Sequence, residues 1–115
     1  MNRTIVRAQL FMWRRQCEWP GCAKRATDMH EVIPRNATEG NETARDLSFQ
    51  PEIVSMLCHE HHMEAHNGGK TARSTLLRVN TATYGKNRVL GALRAVMDAS
   101  CHDISYLLEE EWTDE

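Results

Sequence analysis

The chain has 115 residues, a formal charge of −2, four cysteines and six histidines. That length bounds it to one domain with a modest core, small enough to gain from metal staples. No apolar run approaches the roughly 18 residues of a membrane span, and no internal repeat or low-complexity tract occurs, so membrane, repeat and disordered classes are not expected.

The near-neutral total hides segregated charge. Residues 1–45 carry eight Lys/Arg against five Asp/Glu, residues 46–67 none against four, residues 68–97 six against none, and residues 98–115 none against seven. Such blocks are more often solvated faces than binding sites, so charge alone does not decide for nucleic acid. Cysteines accompanied by six histidines, with no signal-peptide pattern ahead of them, point to metal ligation in a reducing cytoplasm rather than to disulfides.

In chain order, residues 3–15 read as a helix with Arg3, Arg7 and Arg14 on one side, a face that either touches phosphates or is simply solvated. Cys17-Glu18-Trp19-Pro20-Gly21-Cys22 is a Pro-Gly turn that lets two thiolates converge on one ion. Thr27 to Pro34 reads as a strand ending at a proline. It contains His30-Glu31, whose side chains alternate in a regular strand and reach one site only if the strand bends. Residues 35–52 are polar and breaker-rich, a loop. Ile53 to Leu57 is a second strand running into Cys58-His59-Glu60-His61-His62-Met63-Glu64-Ala65-His66.

This last stretch packs four histidines and a cysteine onto one short helix. Cys58 and His61 have knuckle spacing and, with Cys17 and Cys22, complete a four-ligand set for a structural Zn²⁺. His62 and His66, four apart on a helix, share a face and can chelate a second ion. Asn67-Gly68-Gly69 is a helix stop.

Beyond it the chain turns basic and helical. Val89, Leu90, Leu93, Val96 and Met97 form an apolar stripe, as do Ile104, Leu107, Leu108 and Trp112. Asp103 is placed to cap the last helix, and Glu109-Glu110-Glu111 opens an acidic tail. Cys101, beside His102, reads as a small buried hydrophobe.

Taken together, Cys17-x4-Cys22, His30-Glu31-Val32-Ile33-Pro34-Arg35, Leu57-Cys58-x2-His61-His62 and His66 resemble the HNH (ββα-metal, His-Me finger) endonucleases, above all the compact zinc-stapled versions common in bacteriophages. The likeness covers roughly residues 12–68. It implies an α+β fold: a small zinc-stapled ββα-metal core with an N-terminal helix over residues 1–69, and a helical extension over residues 70–115 packed on it as part of one domain.

By resemblance, Cys17, Cys22, Cys58 and His61 hold structural zinc, and His30, His62 and His66 hold the hydrolytic divalent ion (Mg²⁺, Mn²⁺, Ni²⁺ or Zn²⁺). Glu31 stands where the family has its histidine base, and Ile53 where it has the asparagine that orients that base. The implied activity is nicking or cleavage of DNA with little sequence readout. On this reading Glu31 would be the base, and Arg35, Lys70, Arg73, Arg78, Lys86, Arg88 and Arg94 would hold the backbone. The competing reading is a scaffold that has lost catalysis and binds DNA or a protein. A phage factor that captures a packaging motor or a host enzyme through the acidic C-terminal helix is one such case. A third reading is a structural zinc domain with surface histidines.

Overall fold

The computed structural model describes residues 3–100 and residue 105. Cys101, His102, the Asp103 cap, the stripe from Ile104 to Trp112 and the acidic tail lie outside the described residues.

Two four-residue strands form the only sheet among the described residues, β1 (Asp28–Glu31) and β2 (Val54–Leu57). They pair antiparallel, with Asp28 opposite Leu57 and Glu31 opposite Val54. All four residues of β2 are buried, so it is the floor on which the helices assemble. Helix α3 (His59–Asn67) follows β2 directly and packs on both strands. Strand, strand, helix is thus the order around the histidines, within a small α+β domain.

Helix α1 (Arg3–Trp13) buries only Leu10, against Ala26, Val54 and Met56. The arginine face expected to be solvated or on phosphates is paired with protein groups at two of its three positions, and Arg14 is turned inward. Arg3 reaches Glu42 at 3.0 Å and Asp46 at 3.1 Å. Arg14 pairs with Glu18 and donates to the carbonyls of Pro51 (2.8 Å) and Val54 (2.7 Å). The Asn80 amide also donates to the Val54 carbonyl at 2.9 Å, and the guanidinium's five donors suit the task of bridging the two carbonyls.

Residues 35–52, expected to be a loop, hold structure of their own. Two 3-10 turns (Arg35–Thr38 and Pro51–Ile53) flank helix α2 (Glu42–Leu47). The Asn41 side chain accepts the Ala44 N–H at 2.9 Å, an N-cap, while Ala44 and Phe49 are buried. Tertiary burial decides here where the polar composition pointed to a loop.

Helices α4 (Gly69–Tyr84) and α5 (Lys86–Ala99), separated by Gly85 alone, pack against each other. Leu76, Leu77, Val89, Leu93 and Val96 join Val32, Ile33, Ile53 and Leu57 in one apolar cluster. The C-terminal helices therefore complete the core over which β1 and β2 lie. At the α3–α4 junction Gly69 has φ +54°, and a Cβ on Gly68 would stand 2.7 Å from the Ala72 Cβ. Only glycine lets the two helices meet this closely.

Candidate metal centres

The first centre is built from a turn and a helix start. Cys22 N–H donates to the Trp19 carbonyl at 3.0 Å, with Pro20 and left-handed Gly21 (φ +83°) between, a type II turn. This brings the thiols of Cys17 and Cys22 to one side. Cys58 precedes α3, and His61 comes one turn later on its inner side. The Cys17 and Cys58 sulfurs lie 3.5 and 3.3 Å from His61 Nδ1, and all four donor atoms lie within 4.8 Å of one another.

Tetrahedral zinc with sulfur and imidazole ligands separates its donors by about 3.5–3.8 Å, so the spacing fits. Burial pushes the Cys17 thiol up to about 11. A thiolate there needs a cation beside it. Cys58 is drawn the other way, chiefly by the His61 backbone N–H. Trp19 stacks on the His61 ring with centroids 5.4 Å apart, and Glu64 stands 3.9 Å from its Nε2. The set Cys17, Cys22, Cys58 and His61 is therefore able to hold a metal ion.

The second centre faces a cleft of about 510 Å³ bordered by His30, His62, His66, Arg35 and Arg73. His30 comes from β1, and His62 and His66 from adjacent turns of α3. Ring centroids are 5.3 Å (His30–His62), 5.5 Å (His30–His66) and 4.9 Å (His62–His66) apart, and the three donor nitrogens lie within 4.8 Å of one another. Burial first, then the neighbouring imidazoles, holds His30 down at about 4. It is therefore neutral near pH 7, the state a metal ligand requires. Three imidazoles with an open side toward a cleft make an unfinished coordination sphere.

Strand alternation separates His30 from its neighbour. Asp28 and His30 face α3, whereas Met29 packs on the Leu10 cluster and Glu31 turns to α2. Arg45 donates to both Glu31 oxygens at 3.1 and 3.3 Å, and the Ser48 hydroxyl lies 3.1 Å from one of them, its single proton shared with the Arg45 carbonyl at 2.7 Å. Glu31 borders the cleft, but its oxygens are taken. Ile53 is wholly buried in the core.

The expected nucleic-acid residues are dispersed. Arg35 and Arg73 border the cleft, and Lys70 is exposed in the first turn of α4. Arg78 is exposed about 140° around α4 from Arg73. Lys86 is half-buried and Arg94 exposed on α5. Arg88 is held 2.6 Å from Glu52 and lies over the Tyr84 ring.

Sequence reasoning passed over Asp28, whose Oδ2 lies 2.8 Å from His62 Nδ1. The available signal was its position two residues before His30, on the same strand face. No family model, curated protein or solved structure matches the chain. No described helix is long and apolar enough to cross a membrane.

Proposed function

We propose that the chain is a divalent-metal-dependent phosphodiester hydrolase of the HNH type, acting on DNA with little base readout. The observation that carries this reading is the convergence of His30 from β1 and of His62 and His66 from α3 on an open cleft with Arg35 and Arg73 at its border, α3 also supplying His61 to the Cys17, Cys22 and Cys58 set. Cys17, Cys22, Cys58 and His61 would hold structural zinc, and the three histidines a divalent ion. That ion, when bound, supplies charge neutralisation at a phosphate and at its leaving oxygen.

The remaining work falls to the chain's own groups. Arg35, with an 81% exposed side chain, is placed to hold a phosphate, and Arg73 from α4 enters the same cleft. Among the described residues, the cleft's only titratable groups besides these arginines are the three histidines and Glu31. With Glu31 held by Arg45, the site has no free carboxylate base. General-base catalysis contributes typically about 10²–10⁴-fold, so slow cleavage that accelerates with pH is the expected behaviour.

The engaged Glu31 also favours the second reading, a metal-bearing scaffold that binds DNA or protein without cutting it. Nicking of supercoiled plasmid with Mn²⁺, Mg²⁺ or Ni²⁺ separates the two. Metal-dependent nicking lost in His62→Ala supports the hydrolase. Salt-sensitive plasmid binding without nicking under any ion supports the scaffold.

A further inference from the structure

The Asp28 carboxylate has three donors around it. Its Oδ2 lies 2.8 Å from His62 Nδ1 and 3.0 Å from His59 Nδ1, and its Oδ1 accepts the Thr27 hydroxyl at 2.9 Å. Of the two imidazoles, His59 is 74% exposed and His62 only 21%, so the His62 contact is the one held in place by packing. An imidazole that donates from Nδ1 keeps a bare lone pair on Nε2. Nδ1 of His62 is blocked by the carboxylate, which leaves Nε2 for the space shared with His30 and His66. Histidine ligands of metal ions ordinarily carry such an outer partner on their other nitrogen.

We infer that Asp28 is a positioning residue of the histidine centre: its carboxylate selects the Nδ1–H form of His62 and so presents Nε2 to a divalent cation shared with His30 and His66. This rests on the metal-centred reading of the histidines given above. His59, exposed on the same carboxylate, is a secondary donor whose loss leaves the selection intact.

Two measurements on protein carrying one zinc per chain test it. Long-range ¹H–¹⁵N correlation spectra at about pH 8 read the tautomer of His62 before any second ion is added. Wild type should show Nδ1–H, and Asp28→Ala a mixture of the two forms. Titration with Co²⁺ or Ni²⁺ should then show affinity at the histidine centre reduced about 10–100-fold in Asp28→Ala. The quartet zinc should be unchanged, and His59→Ala should leave affinity within about twofold.

Asp28→Asn keeps the shape and one acceptor oxygen without the charge, and carries the comparison if Asp28→Ala does not fold. Nε2–H on His62 in wild type, or undiminished affinity in the Asp28 variants, overturns the inference. A wild type that takes up no second ion overturns the metal-centred reading instead, and the tautomer spectrum still decides whether Asp28 orients His62.

Discussion

Glu31 and His30 are chain neighbours that strand geometry sends to opposite partners. His30 joins the imidazoles, and Glu31 ties β1 to α2 through Arg45, with both side chains largely shielded at 14% and 16% exposure. Glu31→Gln should therefore act on stability more than on chemistry. Losing one charge of a shielded, hydrogen-bonded pair costs about 1–3 kcal/mol, readable in urea unfolding. Nicking by the folded variant should stay within about threefold of wild type, against the 10²-fold or greater loss expected of a base.

The histidine centre, without its own ion, should also set an acid limit on the fold whose quartet is filled. His30 titrates at about 4 in the fold against an ordinary 6.5, so the unfolded chain takes up that proton first. Stability should fall as pH drops from about 6.5 to 4. The Asp28 carboxyl, drawn down to about 2 from 3.8 chiefly by His62, contributes above pH 3.8 and loses that contribution between 3.8 and 2. Both signs make acid destabilising. Chemical denaturation of His30→Gln should show a flatter profile between pH 6.5 and 4.

At the scale of elements, α3 is the part on which both centres depend. Its first turn supplies His61 to the cysteines, and His62 and His66 face the cleft. Gly68→Ala should disturb the second centre selectively, because the new Cβ would press on Ala72 at 2.7 Å and on the Glu64 carbonyl at 3.0 Å. Separation of α3 from α4 should cost about 1–3 kcal/mol and weaken the ion on His66 while leaving the quartet zinc in place, as Co²⁺ spectra would show.

How far these features were legible in the sequence follows from their range. The quartet was legible because Cys-x4-Cys and Cys-x2-His spacings are local. The His62–His66 face was legible from helical period. Helix α2 was hidden, because its cap and its buried Ala44 gain their meaning only from contact with the rest of the core. Without α2 the Arg45 partner of Glu31 was hidden too. Arg14 read as a surface cation, since nothing local indicates that the carbonyls of Pro51 and Val54 converge on it.

For the molecule as a whole, a metal ion held by the quartet would join the turn after α1 to the start of α3 across the segment that holds β1, α2 and β2. Binding energy at such a site becomes folding energy, on the order of 10 kcal/mol for small zinc domains. Cys58→Ser should accordingly give insoluble or molten protein, seen as loss of near-ultraviolet dichroism. On the proposed reading, the dispersed cations should give a DNA affinity that is salt-dependent but modest. Arg35→Glu should lower the slope of log K against log salt by about 0.9 for the lost phosphate contact. Arg88→Glu should act chiefly through the lost Glu52 pair, on stability rather than on affinity.

The central claim is that one short helix carries two separate metal centres, and counting ions tests it most directly. Native mass spectrometry after reconstitution with zinc and then Ni²⁺ should find two ions per wild-type chain. A His62→Ala, His66→Ala double variant should keep one ion. One ion in wild type, retained undiminished when both histidines are removed, would contradict the claim and leave the three imidazoles as surface residues of a structural zinc domain.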